Sequence, residues 1–150
     1  MRQMNLMFSV LVMSILMIAG TTPGQAGQAS HKVAIHVDEN DPARMSMALN
    51  NAQNIDKYYK SKGEKVEIEI VAYGPGLMMY SEAKSPVKTR IASMGLEMDN
   101  ISFAACGNTY RKMSEKAGKP MKLISEAKMV PSGVVRLMEL QEKGWSYIRP

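Results

Sequence analysis

The chain has 150 residues, 45% of them hydrophobic, with 19 Lys+Arg against 14 Asp+Glu and a single cysteine. This length suits one domain around one core, and one cysteine excludes an internal disulfide. The basic residues are scattered and aromatics make up only 6%, so the electrostatic footprint of a nucleic-acid binder is missing and the positive balance reads as a solvated surface.

Arg2 precedes an almost wholly apolar stretch from Leu6 to Ala19, relieved only by Ser9 and Ser14, and then the helix-breaking run Gly20-Thr21-Thr22-Pro23-Gly24-Gln25-Ala26. Charged n-region, apolar h-region and small residues before the cut describe a signal peptide over residues 1–26, cleaved after Ala26 with Ala29 as the alternative. The apolar core is shorter than the roughly 20 residues of a membrane span, so no stable membrane insertion is expected once it is removed. Cleavage takes away Arg2 and no acid, which leaves a net charge of +4. The expectation is a periplasmic or secreted protein with a short flexible lead over residues 27–31, including a disordered His31, and a single domain over residues 32–150.

Val33, Ile35 and Val37 alternate with Ala34 and His36, a β-branched pattern that predicts a first strand ending at Asp38. Asp41 is suited to cap and Pro42 to begin a helix whose apolar face is Met45, Ala48, Leu49, Ala52, Ile55 and Tyr59. Asn50, Asn51 and Asn54 occupy its polar side, and Gly63 ends it. Val66 to Tyr73 predicts a second strand, half exposed at Glu67 and Glu69 and buried at its end. A Gly74-Pro75-Gly76 turn, a short helical stretch over Leu77–Ala83 and a second over Val87–Met94 capped by Gly95 follow. Ile101 to Ala105, the most apolar run, predicts the central strand.

Asn108 or Thr109 is placed to cap a helix with Tyr110–Lys116 as its clear part, ended by Gly118-Lys119-Pro120. Ala127–Val130 predicts a fourth strand. Ser132 and Gly133 open a last helix stopped at Lys143-Gly144, and Trp145–Ile148 predicts a fifth strand at the sheet edge, a segment suited to an oligomer contact. Strand and helix alternate regularly, so the fold class is α/β: a three-layer α/β/α domain with a mainly parallel five-stranded sheet. Ligands and reactive groups in such sheets gather at the carboxyl ends of the strands. Asp38, Gly74 to Gly76, Cys106 and Pro131 to Gly133 all fall at such ends.

Cys106 is the leading candidate for chemistry. A strand-end cysteine just before a helix sits beside free N–H groups and the positive end of the helix dipole, which favours thiolate. Gly107 clears space, and the amides of Asn108 and Thr109 would stabilise the anion; the bland alternative is a small buried hydrophobe. Gly74 and Gly76 would let backbone approach a ligand closely, with Ser132 and Gly133 as further binding candidates on the same rim, although no P-loop spacing is present. His36 and Asp38 share a strand face and could join Cys106 in a metal site, but no repeated Cys or His spacing supports one, so neither metal nor cofactor is expected.

The runs Asn50-Asn51-Ala52-Gln53-Asn54, Val71-Ala72-Tyr73-Gly74-Pro75-Gly76-Leu77, Ala105-Cys106-Gly107-Asn108-Thr109, Val130-Pro131-Ser132-Gly133-Val134-Val135 and Leu140-Gln141-Glu142-Lys143-Gly144-Trp145-Ser146-Tyr147-Ile148-Arg149-Pro150 resemble the DsrE/DsrF-like family from about Lys32 to Pro150. The resemblance implies a parallel α/β/α fold, homo-oligomers such as trimers or hexamers, and, in the sulfurtransferase branch, a cysteine that carries a persulfide in exchange with a sulfur donor or acceptor, whether protein or small thiol. Cys106 is the residue that would fill that role. The alternative is a non-enzymatic oligomeric module that binds a small ligand or metal while Cys106 only packs.

Overall fold

The computed structural model describes residues 31–150; the expected signal peptide and residues 27–30 lie outside the described residues. Five strands, β1 (His31–Val37), β2 (Val66–Ala72), β3 (Ile101–Cys106), β4 (Ala127–Val130) and β5 (Ser146–Ile148), alternate with the helices α1 (Pro42–Ser61), α2 (Lys88–Glu97), α3 (Gly107–Ala117) and α4 (Gly133–Glu142). The sheet is parallel throughout, in the order β4-β3-β2-β1-β5. The expected three-layer α/β/α architecture is present.

This order dictates where the helices go. Parallel crossovers are right-handed, so four strands laid down in one direction keep α1, α2 and α3 on one face. The chain then returns across the whole sheet from β4 to β5, which sends α4 to the opposite face. Two separate apolar layers result. Val33, Ile35, Ile68, Ile70 and Phe103 pack under Met45, Leu49, Ile91 and Met94, whereas Ala34, Val71 and Ala104 pack under Leu137 and Leu140, with Tyr73, Val130 and Trp145 at the margin.

Local chemistry explains the elements. Asp41 accepts the Ala43 N–H at 2.8 Å and Pro42 follows it, so α1 starts where the cap and fixed φ predict. Gly63 and Gly118 take positive φ just beyond α1 and at the end of α3, the left-handed turn that stops a helix. Asn50 and Asn54 are exposed on α1.

Several expectations are corrected. His31 is not disordered: it opens β1, its Nε2 lies 2.7 Å from Glu64 Oε2 and its ring stacks on Tyr59 at 3.8 Å. β2, not β3, is the middle strand; an apolar run reports burial on both faces, which any interior strand has. Gly95 does not cap α2, which continues to Glu97 because Met94 and Met98 are both buried. The segment after Gly74 is a single 3₁₀ helix over Gly74–Tyr80, tightened by packing against the end of β1. Glu69, expected on an exposed face, is 5% exposed and held beneath α4 by Arg136 through two bonds of 2.7 and 2.6 Å.

Candidate functional site

The loops after β3 and β4 leave the sheet toward opposite faces. This is the topological switch point of the fold, where doubly wound sheets open a crevice at their carboxyl ends. Cys106 is the last residue of β3 and Gly133 the first of α4. The cysteine therefore lies between the starts of two helices, α3 on one side of the sheet and α4 on the other.

Cys106 is itself the N-cap of α3, in place of the expected Asn108 or Thr109, and its Sγ accepts the Thr109 N–H at 3.5 Å. Burial pushes the thiol up. The Thr109 side chain and the backbone N–H groups of Gly133, Thr109 and Asn108 pull it down, and their sum wins, so the thiol lies below its ordinary value. Donors from both helices thus favour the thiolate, the charge that helix N-termini attract. The side chain is buried at 4% exposure.

Glycines make this proximity possible. A Cβ on Gly133 would sit 2.9 Å from Tyr73 Cβ and 3.1 Å from Cys106 Cβ, and one on Gly107 would sit 3.0 Å from the Val130 carbonyl oxygen. Gly74, at φ +52°, donates its N–H to Thr109 Oγ1 at 2.9 Å, which ties the turn after β2 to the cap of α3. A Cβ on Gly76 would meet Val37 C at 2.6 Å and Asp38 Cα at 2.8 Å, and the Gly76 N–H donates to the Asp38 carbonyl at 3.0 Å. The four loops converge as expected.

Beside Cys106 stands Tyr73. It follows Ala72, the partner of Ala105 in the register, so Tyr73, directly after β2, and Cys106, at the end of β3, each lie one residue past that pair. The Tyr73 ring stacks on His36 at 4.5 Å between centroids. His36 is 4% exposed; its Nδ1 lies 2.7 Å from the Tyr147 hydroxyl, and its Nε2 has no hydrogen-bond partner. Beyond it, Arg149 bonds Asp38 at 2.9 Å and Glu39 at 3.3 Å.

No protein-family profile and no curated protein matches the chain. Among solved structures it is similar to MTH1491 from Methanobacterium thermoautotrophicum, a protein of unknown function, with 30% identity and a TM-score of 0.69 over 81% of this chain and 100% of the other. The chain belongs to the same family as MTH1491. Because MTH1491 is a protein of unknown function, membership of its family carries the fold and no activity.

In this member of the MTH1491 family the candidate residues divide by what they do. Cys106, Gly107, Thr109 and Gly133 come together at the sulfur, and the Asn108 N–H joins them while its side chain accepts from Arg111 at 3.3 Å. Gly74 and Gly76 shape the loops and do not face the thiol directly. Ser132 occupies the N-cap of α4 without a side-chain cap bond. Among the described residues no group of three His, Cys, Asp or Glu side chains is placed to hold a metal, and none of their helices is long and apolar enough to cross a membrane.

Burial lowers the His36 imidazole below its ordinary value; Asp38 opposes this and Arg149 adds to it. Burial likewise raises the Tyr73 phenol, with Asp38 and Tyr147 adding to it, Arg149 opposing and the Cys106 charge adding further. At neutral pH the rim thus holds a neutral imidazole and a protonated phenol. Tyr73 and its contact with His36 have a sequence signal only in retrospect: a tyrosine at the end of one strand in register with a cysteine at the end of the next.

Proposed function

We propose that the protein is an exported DsrE-like sulfur-handling protein in which Cys106 accepts sulfane sulfur as a persulfide and passes it on. The observation that carries this reading is the convergence of amides from α3 and α4 on one sulfur, since a thiolate stabilised in this way is the nucleophile that the chemistry requires. The Cys106 thiolate attacks the outer sulfur of a persulfide R–S–SH. The new S–S bond forms as the old one breaks, and RS⁻ leaves with the electron pair and takes a proton from solvent. Discharge is the same step run with an acceptor thiolate. The donor and the acceptor are a small thiol or a protein bearing one.

Homo-oligomerisation, as a trimer or hexamer, belongs to this proposal. Val134, Val135 and Met138 on α4 and Met129 on β4 are exposed apolar side chains near the site; covering them would bury sticky surface and shield a persulfide from the oxidants of an extracytoplasmic compartment. Export rests on the apolar pattern of residues 1–26.

Incubation with polysulfide should add sulfur that intact-mass spectrometry detects on the native protein and not on Cys106→Ser. Absence of a Cys106-dependent adduct sinks the reading. The low exposure of Cys106 favours a second one, a binding module in which the cysteine only packs; a thiol that labels only after unfolding would select it.

A further inference from the structure

Tyr73 has a feature that neither packing nor the thiol requires. Its ring is fixed, stacked on His36 on one side and pressed against Gly133 on the other, where a Cβ would come within 3.0 Å of its Cδ1. Its hydroxyl, by contrast, has no hydrogen-bond partner among the described residues. The neighbouring tyrosines differ: the Tyr147 hydroxyl is committed to His36 and the Tyr80 hydroxyl to the Ile70 carbonyl at 2.7 Å. A second polar group of the same cluster is also unspent, the buried His36 Nε2. A buried polar atom left unpaired costs about 1–3 kcal/mol, a cost that falls on His36 Nε2; with the accessible Tyr73 hydroxyl also uncommitted, the rim beside the thiol offers one buried and one open polar group to something that binds there.

We propose that Tyr73 is a catalytic residue, its hydroxyl donating a hydrogen bond to the sulfur that leaves when the Cys106 thiolate attacks a sulfane sulfur, with His36 and Tyr147 as positioning residues behind its ring. The inference rests on the persulfide reading for its natural substrate, not for its test. The chemistry supplies the reason. The leaving group of an alkyl persulfide or disulfide is an alkyl thiolate, basic enough to depart slowly unless a donor meets the charge that develops on it. Tyr73 directly follows β2 and Cys106 ends β3, each one residue past the Ala72–Ala105 pair, so a substrate whose outer sulfur meets Cys106 can place its inner sulfur over Tyr73. The phenol stays protonated at neutral pH because burial and the neighbouring Asp38, Tyr147 and Cys106 charges hold its proton. In the balanced step one S–S bond forms on Cys106, one breaks, the pair goes to the leaving sulfur, and any proton that Tyr73 gives up is returned by water.

The test varies the leaving group. Wild type and Tyr73→Phe, which keeps the ring and its stacking, are compared in the rate of Cys106 attack on cysteine persulfide, on hydroxyethyl disulfide and on a nitrobenzoate aryl disulfide whose thiolate needs no help to leave. We expect Tyr73→Phe to be about 10- to 100-fold slower with the two alkyl compounds, the size of a lost bond to a charged group, and equal to wild type with the aryl disulfide. Equal rates with the alkyl compounds overturn the proposal, and so does equal slowing with all three, which would mean that Tyr73 only supports the structure. If wild type gains no sulfur from cysteine persulfide, the persulfide reading fails on its own, and hydroxyethyl disulfide still decides Tyr73.

Discussion

Gly133→Ala tests the central geometry in one methyl group. The added Cβ would lie 2.9 and 3.0 Å from Tyr73 Cβ and Cδ1 and 3.1 Å from Cys106 Cβ, well inside the ordinary contact distance of about 3.5–4.0 Å. None of these atoms is the free end of a flexible chain: two are Cβ atoms fixed to strands and the third belongs to a ring stacked on His36. Overpacking of this kind costs about 1–3 kcal/mol, and the gain from replacing glycine with alanine returns about 0.4–1 kcal/mol. The net expectation is a loss of about 1–2 kcal/mol, seen in urea as a midpoint lowered by about 0.5–1 M for a slope near 2 kcal/mol per molar. Relief requires the start of α4 to move off the sheet. That withdraws the Gly133 N–H from Cys106, so the pH midpoint of iodoacetamide labelling should rise in the same variant. Gly95→Ala is the control: its Cβ would meet only the flexible Glu126 side chain at 3.3 Å, and a helical glycine replaced by alanine should gain up to about 1 kcal/mol. A Gly133→Ala protein with unchanged stability and an unchanged labelling midpoint would refute the claim that α4 is pressed against the thiol.

Other outcomes follow from the same contacts. Thr109→Val removes the side chain that most lowers the Cys106 thiol and strands the Gly74 N–H; the labelling midpoint should rise toward the ordinary value, with about 1 kcal/mol of stability lost in urea. Arg136→Ala leaves Glu69 buried without its bidentate partner and should cost about 2–4 kcal/mol, at or below the fully buried range because the arginine is 30% exposed; Glu69→Leu with Arg136→Leu should recover much of that in the same titration. His36 is lower in the folded chain than its ordinary 6.5, so its contribution to stability is complete above about pH 6.5 and declines as pH falls from there through the lowered folded value. Urea midpoints measured between pH 7.5 and 5 should fall less steeply in His36→Gln than in wild type.

The order of elements, the parallel class and the rim loops were legible because they depend on local signals. Asp41-Pro42 marks a helix start, Gly118 a helix stop, and the alternation of Val33, Ile35 and Val37 a strand, each through interactions within a few residues. Cys106 stood out by its place between an apolar run and a helical pattern. The thin layer under α4 was not legible, nor was the pairing of Glu69 with Arg136, 67 residues apart: a glutamate in a strand reads as exposed until a partner is known to lie above it. His31 likewise read as a loose end, because the glutamate and tyrosine that hold it come from elsewhere in the chain.

The amino-acid order alone settles that a cysteine ends β3 and that α3 begins beside it, since capping and strand patterning act over neighbouring residues. Whether that sulfur meets one helix or two was decided by the return of the chain from β4 to β5. Right-handed crossovers put α4 on the far face, and its first residue, a glycine, comes close enough to donate to the same atom. Tyr73 reached its place by the same route. Register between β2 and β3 is a long-range property, and it alone sets a free phenol next to the thiol.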